Sequence, residues 1–174
     1  MLEHIEITGE GGIIRLKWEW DNPEIESVDI RYRKKGYEGT SEFHLGILRN
    51  PQQKYAYAER KMSGERGLYS FLLIIHLVSG DVKEKWIDDI AIGGKIRVSW
   101  NLRQEKKGYK ITFPKCEAEI PANAVSAKYE KIKMKLGYPV NQETQLLVLE
   151  SIDDQKFELC IEKPYDKIIK LERC

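Results

Sequence analysis

The chain has 174 residues, 41% of them apolar and 33% charged, with a formal net charge of only +1. That apolar fraction is a folding composition, which excludes a disordered chain, and the near-neutral balance weighs against nucleic-acid binding, which calls for a basic domain. The longest apolar run, residues 71–75, is far short of the ~18 residues of a membrane span, so a spanning helix is excluded as well.

Period-two alternation governs the chain. Ile14, Leu16, Trp18 and Trp20 alternate with Arg15, Lys17 and Glu19, which predicts a strand with one apolar and one polar face. Asp21-Asn22-Pro23-Glu24 is turn chemistry, because Asp and Asn bond the local backbone and Pro fixes its own φ. Val28, Ile30 and Tyr32 then alternate with Asp29, Arg31 and Arg33, and Lys34-Lys35-Gly36-Tyr37 closes that strand. Phe43, Leu45 and Ile47 predict another strand, Asn50-Pro51 interrupts it, and Tyr55 and Tyr57 predict the next. Residues 62–67 read as a loop. The nearly continuous apolar run 68–78 is expected of a central strand, and Ser79-Gly80-Asp81 turns it into a strand over residues 82–92.

Gly93-Gly94 ends this first half, and the second half repeats its opening. Gly11-Gly12-Ile13-Ile14-Arg15-Leu16-Lys17-Trp18 returns, 82 residues later, as Gly93-Gly94-Lys95-Ile96-Arg97-Val98-Ser99-Trp100, with five of eight positions identical. The repeat predicts two copies of one architectural unit, residues 1–93 and 94–174. In the second, Tyr109, Ile111 and Phe113 alternate up to Pro114, and residues 120–124 read as a loop or short helical turn. Ile132, Met134 and Leu136 alternate with Lys131, Lys133 and Lys135, which favours a strand over a helix across residues 124–136. Leu146 and Val148, then Phe157, Leu159 and Ile161, then residues 168–171 complete the series, with Lys163-Pro164 as a break. The connector Ile92-Gly93-Gly94-Lys95 is too short for a flexible tether, so the units are expected to touch.

Short strands every 8 to 12 residues or so, with turn signals between them, predict an all-β fold of two tandem antiparallel β-sandwich domains. The order of residues in the first half resembles a fibronectin type III domain. A Trp-bearing strand (Trp18 or Trp20) precedes a turn with Pro, then comes Val28-Asp29-Ile30-Arg31-Tyr32-Arg33, and later Gly67-Leu68-Tyr69-Ser70-Phe71. The resemblance implies a core Trp on the second strand, Tyr32 on the third and Tyr69 at the corner entering the sixth. It covers residues 1–93. The second half shares only its opening strand with that pattern and is expected to be an immunoglobulin-like sandwich.

Motifs of catalysis are missing. No Gly-rich loop leads into a helix, and there is no His-Glu-x-x-His or Gly-x-Ser-x-Gly. His4, His44 and His76 lack local metal-ligand spacing, and His76 is expected to be a half-buried structural histidine. Asp88-Asp89, Asp153-Asp154 and Glu117/Glu119 read as solvated carboxylates. Cys116, Cys160 and Cys174 form no Cys-x-x-Cys pair, and their odd number favours a reducing compartment, with Cys116 and Cys160 as small buried hydrophobes. No catalytic residue, metal or cofactor is expected.

Two features bear on binding. Trp86, Tyr55 and Tyr57 are aromatics in polar contexts and are the candidate ligand-binding residues. Arg31/Arg33/Lys35 and Lys131/Lys133/Lys135 would each line one strand face, an arrangement that also protects sheets from aggregation. Residues 1–93 carry 13 Lys and Arg against 16 Asp and Glu, and residues 94–174 carry 16 against 12, an asymmetry that would steer an anionic partner to the second half. The function expected is a non-catalytic interaction or scaffold module with a protein partner. The alternative is a carbohydrate-associated module of a polysaccharide-degrading enzyme, with a polysaccharide as its ligand. The start of the chain has no signal-peptide pattern, so a cytoplasmic location is expected, although a fragment of an exported protein would read the same.

Overall fold

The computed structural model describes residues 4–10, 13–19, 23–36, 42–49, 55–61, 66–106, 108–121, 124–136, 144–147, 153 and 156–174. Within these, the side chains of residues 4, 5, 10, 19, 49, 55–61, 134, 135 and 144–147 lie outside the description. The described residues are all-β apart from short 3-10 turns, among them Tyr165–Lys167, and contain no α-helix. They fall into two compact units, Met1–Gly94 and Lys95–Cys174.

Unit 1 contains β1 (His4–Glu10), β2 (Ile13–Glu19), β3 (Ile25–Lys34), β4 (Phe43–Arg49), β5 (Tyr55–Lys61), β6 (Gly67–Leu77) and β7 (Val82–Ile92). They form two antiparallel sheets, ordered β1-β2-β5 and β4-β3-β6-β7. The alternation in β2 and β3 explains the core. Ile14, Leu16 and Trp18 from the first sheet join Val28, Ile30, Tyr32, Tyr69, Phe71, Leu73 and Ile75 from the second in one buried cluster. Each such side chain contributes about 1.5–3 kcal/mol relative to exposure. The strand β6 is mostly apolar, and its first half is buried on both faces: Leu68 is 0% and Leu72 6% exposed on the side away from that cluster. The expected turn at residues 79–81 forms: Gly80 N donates to Leu77 O at 2.9 Å, and Gly80 adopts φ 89°, which glycine tolerates.

Unit 2 contains β8 (Ile96–Glu105), β9 (Gly108–Cys116), β10 (Val125–Tyr129), β11 (Ile132–Lys135), β12 (Thr144–Leu147), β13 (Phe157–Ile161) and β14 (Ile169–Arg173). The sheets are β12-β9-β8-β14 and β11-β10-β13. All pairings are antiparallel except β14, which runs parallel to β8. Trp100 of β8 and Phe157 of β13 bring the two sheets together, with ring centroids 5.9 Å apart.

The eight-residue repeat is equivalent in burial but not in pairing. Ile14 and Ile96, Leu16 and Val98, and Trp18 and Trp100 are buried alike. However, β2 lies between two antiparallel neighbours, β1 and β5, whereas β8 opens its unit and lies between antiparallel β9 and parallel β14. The shared segment is thus the residue pattern of a central strand, used in two different topologies. Its second Gly-Gly pair adopts φ 83° and 77°, left-handed values suited to glycine at the junction of the units. The first pair, Gly11-Gly12, lies outside the described residues.

Candidate interaction surfaces

The outer face of the sheet β4-β3-β6-β7 is set by parity. Val28, Ile30 and Tyr32 point into the core, so Asp29, Arg31 and Arg33 point outward. On β7, Trp86 stands opposite Leu72 and shares its outward face. Trp86 is 40% exposed, and the Arg33 guanidinium lies over its ring at 4.5 Å. Such a contact contributes about 0.5–1 kcal/mol at an exposed site. Ile47 of β4 is 48% exposed and Val82 of β7 53%, so this unit presents large apolar side chains to solvent. Tyr55 and Tyr57 are on β5, in the other sheet, and their side chains lie outside the described residues. Among the described residues no aromatic ring stacks on Trp86; the ring contacts instead link Tyr32 with Phe43, Tyr69 and Phe71, and Trp100 with Phe157.

The basic residues of β3 have partners. Arg31 Nε lies 3.3 Å from Asp29 Oδ2, and Lys35 Nζ lies 2.5 Å from Asp89 Oδ1. His44 Nε2 is 2.8 Å from Asp29 Oδ1, close enough for an ion pair when protonated, but off the line of a hydrogen bond to that buried oxygen. Asp88 and Asp89 do not sit in a hairpin turn. They form a bulge within β7, where the register with β6 shifts between Tyr69 and Phe71 and Asp89 adopts φ 62°. Asp88 accepts a hydrogen bond from Ser70 Oγ at 2.5 Å while Asp89 meets Lys35, so the two carboxylates serve different partners and do not converge.

No group of three or more His, Cys, Asp and Glu suited to a metal ion occurs among the described residues. His76 is half-buried on β6, as expected. Cys116 and Cys160 are half-buried rather than fully buried, and Cys174 is exposed. Burial pushes the Cys116 thiol above its ordinary range, against a smaller opposing effect of the Ala118 backbone; the thiol donates to Ala118 O at 2.9 Å. A raised thiol pKa is the reverse of what a nucleophilic cysteine needs. Ser126 donates to Glu162 Oε1 at 2.5 Å, and Lys133 Nζ lies 2.6 Å from the same oxygen. Ser126 is 0% exposed, and the trio ties β10, β11 and the end of β13 together.

The second basic stripe is only partly a strand face. Lys131 lies in the turn before β11, Lys133 is paired with Glu162, and the Lys135 side chain lies outside the described residues. A different set of cations gathers on the sheet β12-β9-β8-β14. Val98 and Trp100 are buried, so Arg97, Ser99, Asn101 and Arg103 share the opposite, outer face of β8. In register, Lys170 stands opposite Arg97, Lys115 opposite Ser99 and Lys110 opposite Arg103. Glu172 lies among them; the hydrogen bond from Lys170 at 2.8 Å, with the charges of Lys170, Arg97 and Lys115, holds its carboxyl below the ordinary range. Strand periodicity singles out none of these residues, because they come from three strands that are far apart in the chain.

No protein-family model and no curated protein matches the sequence. A solved chain from a structure described as "Chaperone-tip adhesin complex is vital for synergistic activation of CFA/I fimbriae biogenesis" aligns over 92% of this chain and 99% of its own length, at TM-score 0.42 and 10% identity. A likeness of that degree assigns neither a fold type nor a role. Among the described residues, no helix is long and apolar enough to cross a membrane.

Proposed function

We propose that the chain is a non-catalytic protein-interaction module of two β-sandwich domains, the first fibronectin type III-like and the second immunoglobulin-like. The strand order of unit 1 supports the first assignment. An immunoglobulin constant-type sandwich places its fourth strand with the first, second and fifth. Here β4 pairs with β3 instead, giving three strands against four. Trp18 on β2, Tyr32 on β3 and Tyr69 on β6 are buried, and the two tyrosine rings meet edge-on at 6.2 Å, in keeping with the places the resemblance gives them. For unit 2, support is limited to two sheets joined through Trp100 and Phe157. A cytoplasmic location remains part of the proposal, on the odd cysteine count.

The observation that carries the functional reading is the exposure of Trp86, Ile47 and Val82 on one four-stranded sheet. Large apolar side chains presented by a rigid element are the usual anchors of protein interfaces. Of the candidate rings for a carbohydrate platform, Trp86 already has the Arg33 guanidinium over it, which favours the protein reading. The test is capture from a lysate of the source organism on the immobilised chain, comparing wild type with Ile47→Glu/Trp86→Glu. We expect a defined protein to be retained by the wild type and lost by the variant at unchanged melting temperature. Retention of the same proteins by both, or of none by either, would sink the reading.

A further inference from the structure

Like charges directly opposite each other on a sheet are destabilising. The outer face of β12-β9-β8-β14 carries two such pairs, Lys170 opposite Arg97 and Arg103 opposite Lys110. A fifth cation, Lys115, shares the face, and among the described residues neither Arg103 nor Lys115 has an ion-pair partner. Carboxylates offset this only in part: Glu172 pairs with Lys170 at 2.8 Å and also feels the charges of Arg97 and Lys115, Glu117 accepts from Arg97 N at 3.2 Å, and Glu105, at the end of β8, approaches Lys110 at 3.7 Å. A face that merely needed to be soluble would intersperse the signs. Local rules of this kind are broken most often where a surface has a use.

We propose that this face of unit 2 binds an acidic polypeptide segment, lying extended across β14, β8 and β9. The site is separate from the apolar surface of unit 1 and goes beyond the reading built on it. Charge complementarity identifies the occupant. From Arg97 to Arg103 β8 runs roughly 20 Å, and an extended chain laid obliquely along it repeats its side chains on one side every ~7 Å, so its carboxylates meet Lys170 and Arg97 at one end, Lys115 between, and Lys110 and Arg103 at the other. Between them lie Ser99 and Asn101; Thr112 Oγ1 donates to Asn101 Oδ1, which leaves the Asn101 amide N–H groups to meet a peptide backbone. A nucleic acid is the poorer fit. Among the described residues no exposed aromatic ring lies on this face to stack on bases.

The experiment uses the full chain with fluorescently labelled poly-L-glutamate, and a DNA duplex of matched charge, at about 50 mM salt, where surface charges are weakly screened. Anisotropy is read for wild type, for Arg103→Glu/Lys115→Glu, and for Lys83→Glu/Lys85→Glu on β7 of unit 1. Polyglutamate should bind the wild type and the unit 1 variant alike, and more tightly than DNA does. The unit 2 variant should lose about tenfold in affinity. That variant should also melt at the same temperature or roughly 2–4 °C higher, since Arg103→Glu converts a repulsive pair into an attractive one. Should it melt lower, Arg103→Gln/Lys115→Gln replaces it under the same binding criterion. The proposal is overturned if polyglutamate fails to bind, if binding survives the unit 2 substitutions, or if DNA is the tighter ligand. None of these outcomes touches the Ile47/Trp86 capture result, which tests the other surface.

Discussion

Cys116 shows how a single residue's environment decides its chemistry. Its thiol is half-buried at the end of β9 and donates to Ala118 O. Loss of solvation dominates, so its pKa is raised, and the nearby Glu117 charge adds to the effect. The thiol is therefore protonated at neutral pH. Iodoacetamide at pH 7.5 should label the exposed Cys174 first and Cys116 slowly, with Cys116 labelling catching up only in strongly alkaline solution. The linkage to stability has a definite sign. A folded-state pKa above the unfolded one means that the unfolded chain releases the proton first, so this group's contribution is intact below the ordinary thiol range and is lost as pH rises through the folded value. Mass spectrometry of singly labelled peptides checks the order, and equal rates at Cys116 and Cys174 would contradict it. On sequence alone Cys116 reads as a small buried hydrophobe. That is close in environment, but the hydrogen bond to Ala118 O depends on where residues 116–118 leave the sheet, which no local pattern encodes.

At the scale of the element, the bulge in β7 is the most informative departure from regular pairing. Alternation makes β7 predictable as a strand, and Trp86 is outward because its neighbours obey that alternation. The bulge at Asp88 and Asp89 breaks it, which is how both Ile87 and Ile90 come to pack against the core. Asp89 holds φ 62°, a region that Asp tolerates and a β-branched residue does not. Asp89→Gly should therefore stay within about 0.5 kcal/mol of wild type, relief of backbone strain offsetting the lost, partly exposed contact to Lys35. Asp89→Val should lose about 2 kcal/mol or more, because it forfeits the contact and adds strain. Urea denaturation midpoints separate the two, and equal losses would show that the side-chain contact, not the backbone, sets the bulge. Other elements are hidden for different reasons. Val125, Ser126 and Ala127 of β10 are all buried, so small residues on both faces erase the alternation that reveals a half-exposed strand. The parallel pairing of β14 with β8 leaves no mark either, since the alternation of Ile169 and Leu171 reads the same whichever way the neighbouring strand runs.

For the whole molecule, the question is whether the two units are energetically separable. The buried cluster of unit 1 runs from Ile7 to Ile92 and recruits both of that unit's sheets. In unit 2, Ile96, Val98, Trp100, Phe157, Ile168 and Ile169 are buried, and β14 returns to pair with β8, so the end of the chain closes on the strand that opens its unit. Units of this length bury enough surface to fold alone, though with little margin. Residues 1–94 and 95–174 expressed separately should each melt cooperatively, and in the full chain Trp18 and Trp100 should report different midpoints when the other tryptophans are replaced by Phe. Coincident midpoints, together with unfolded fragments, would instead make the chain one cooperative body. Separability has a functional consequence, because the two proposed surfaces lie on different units. The fragment 95–174 should keep the affinity for polyglutamate and lack the Trp86-dependent capture, and the fragment 1–94 should do the reverse. A chain built this way links an apolar contact and a charged one covalently. A partner that engages both gains from effective concentration, so the loss on cutting at Gly94 should exceed what either fragment's own affinity accounts for.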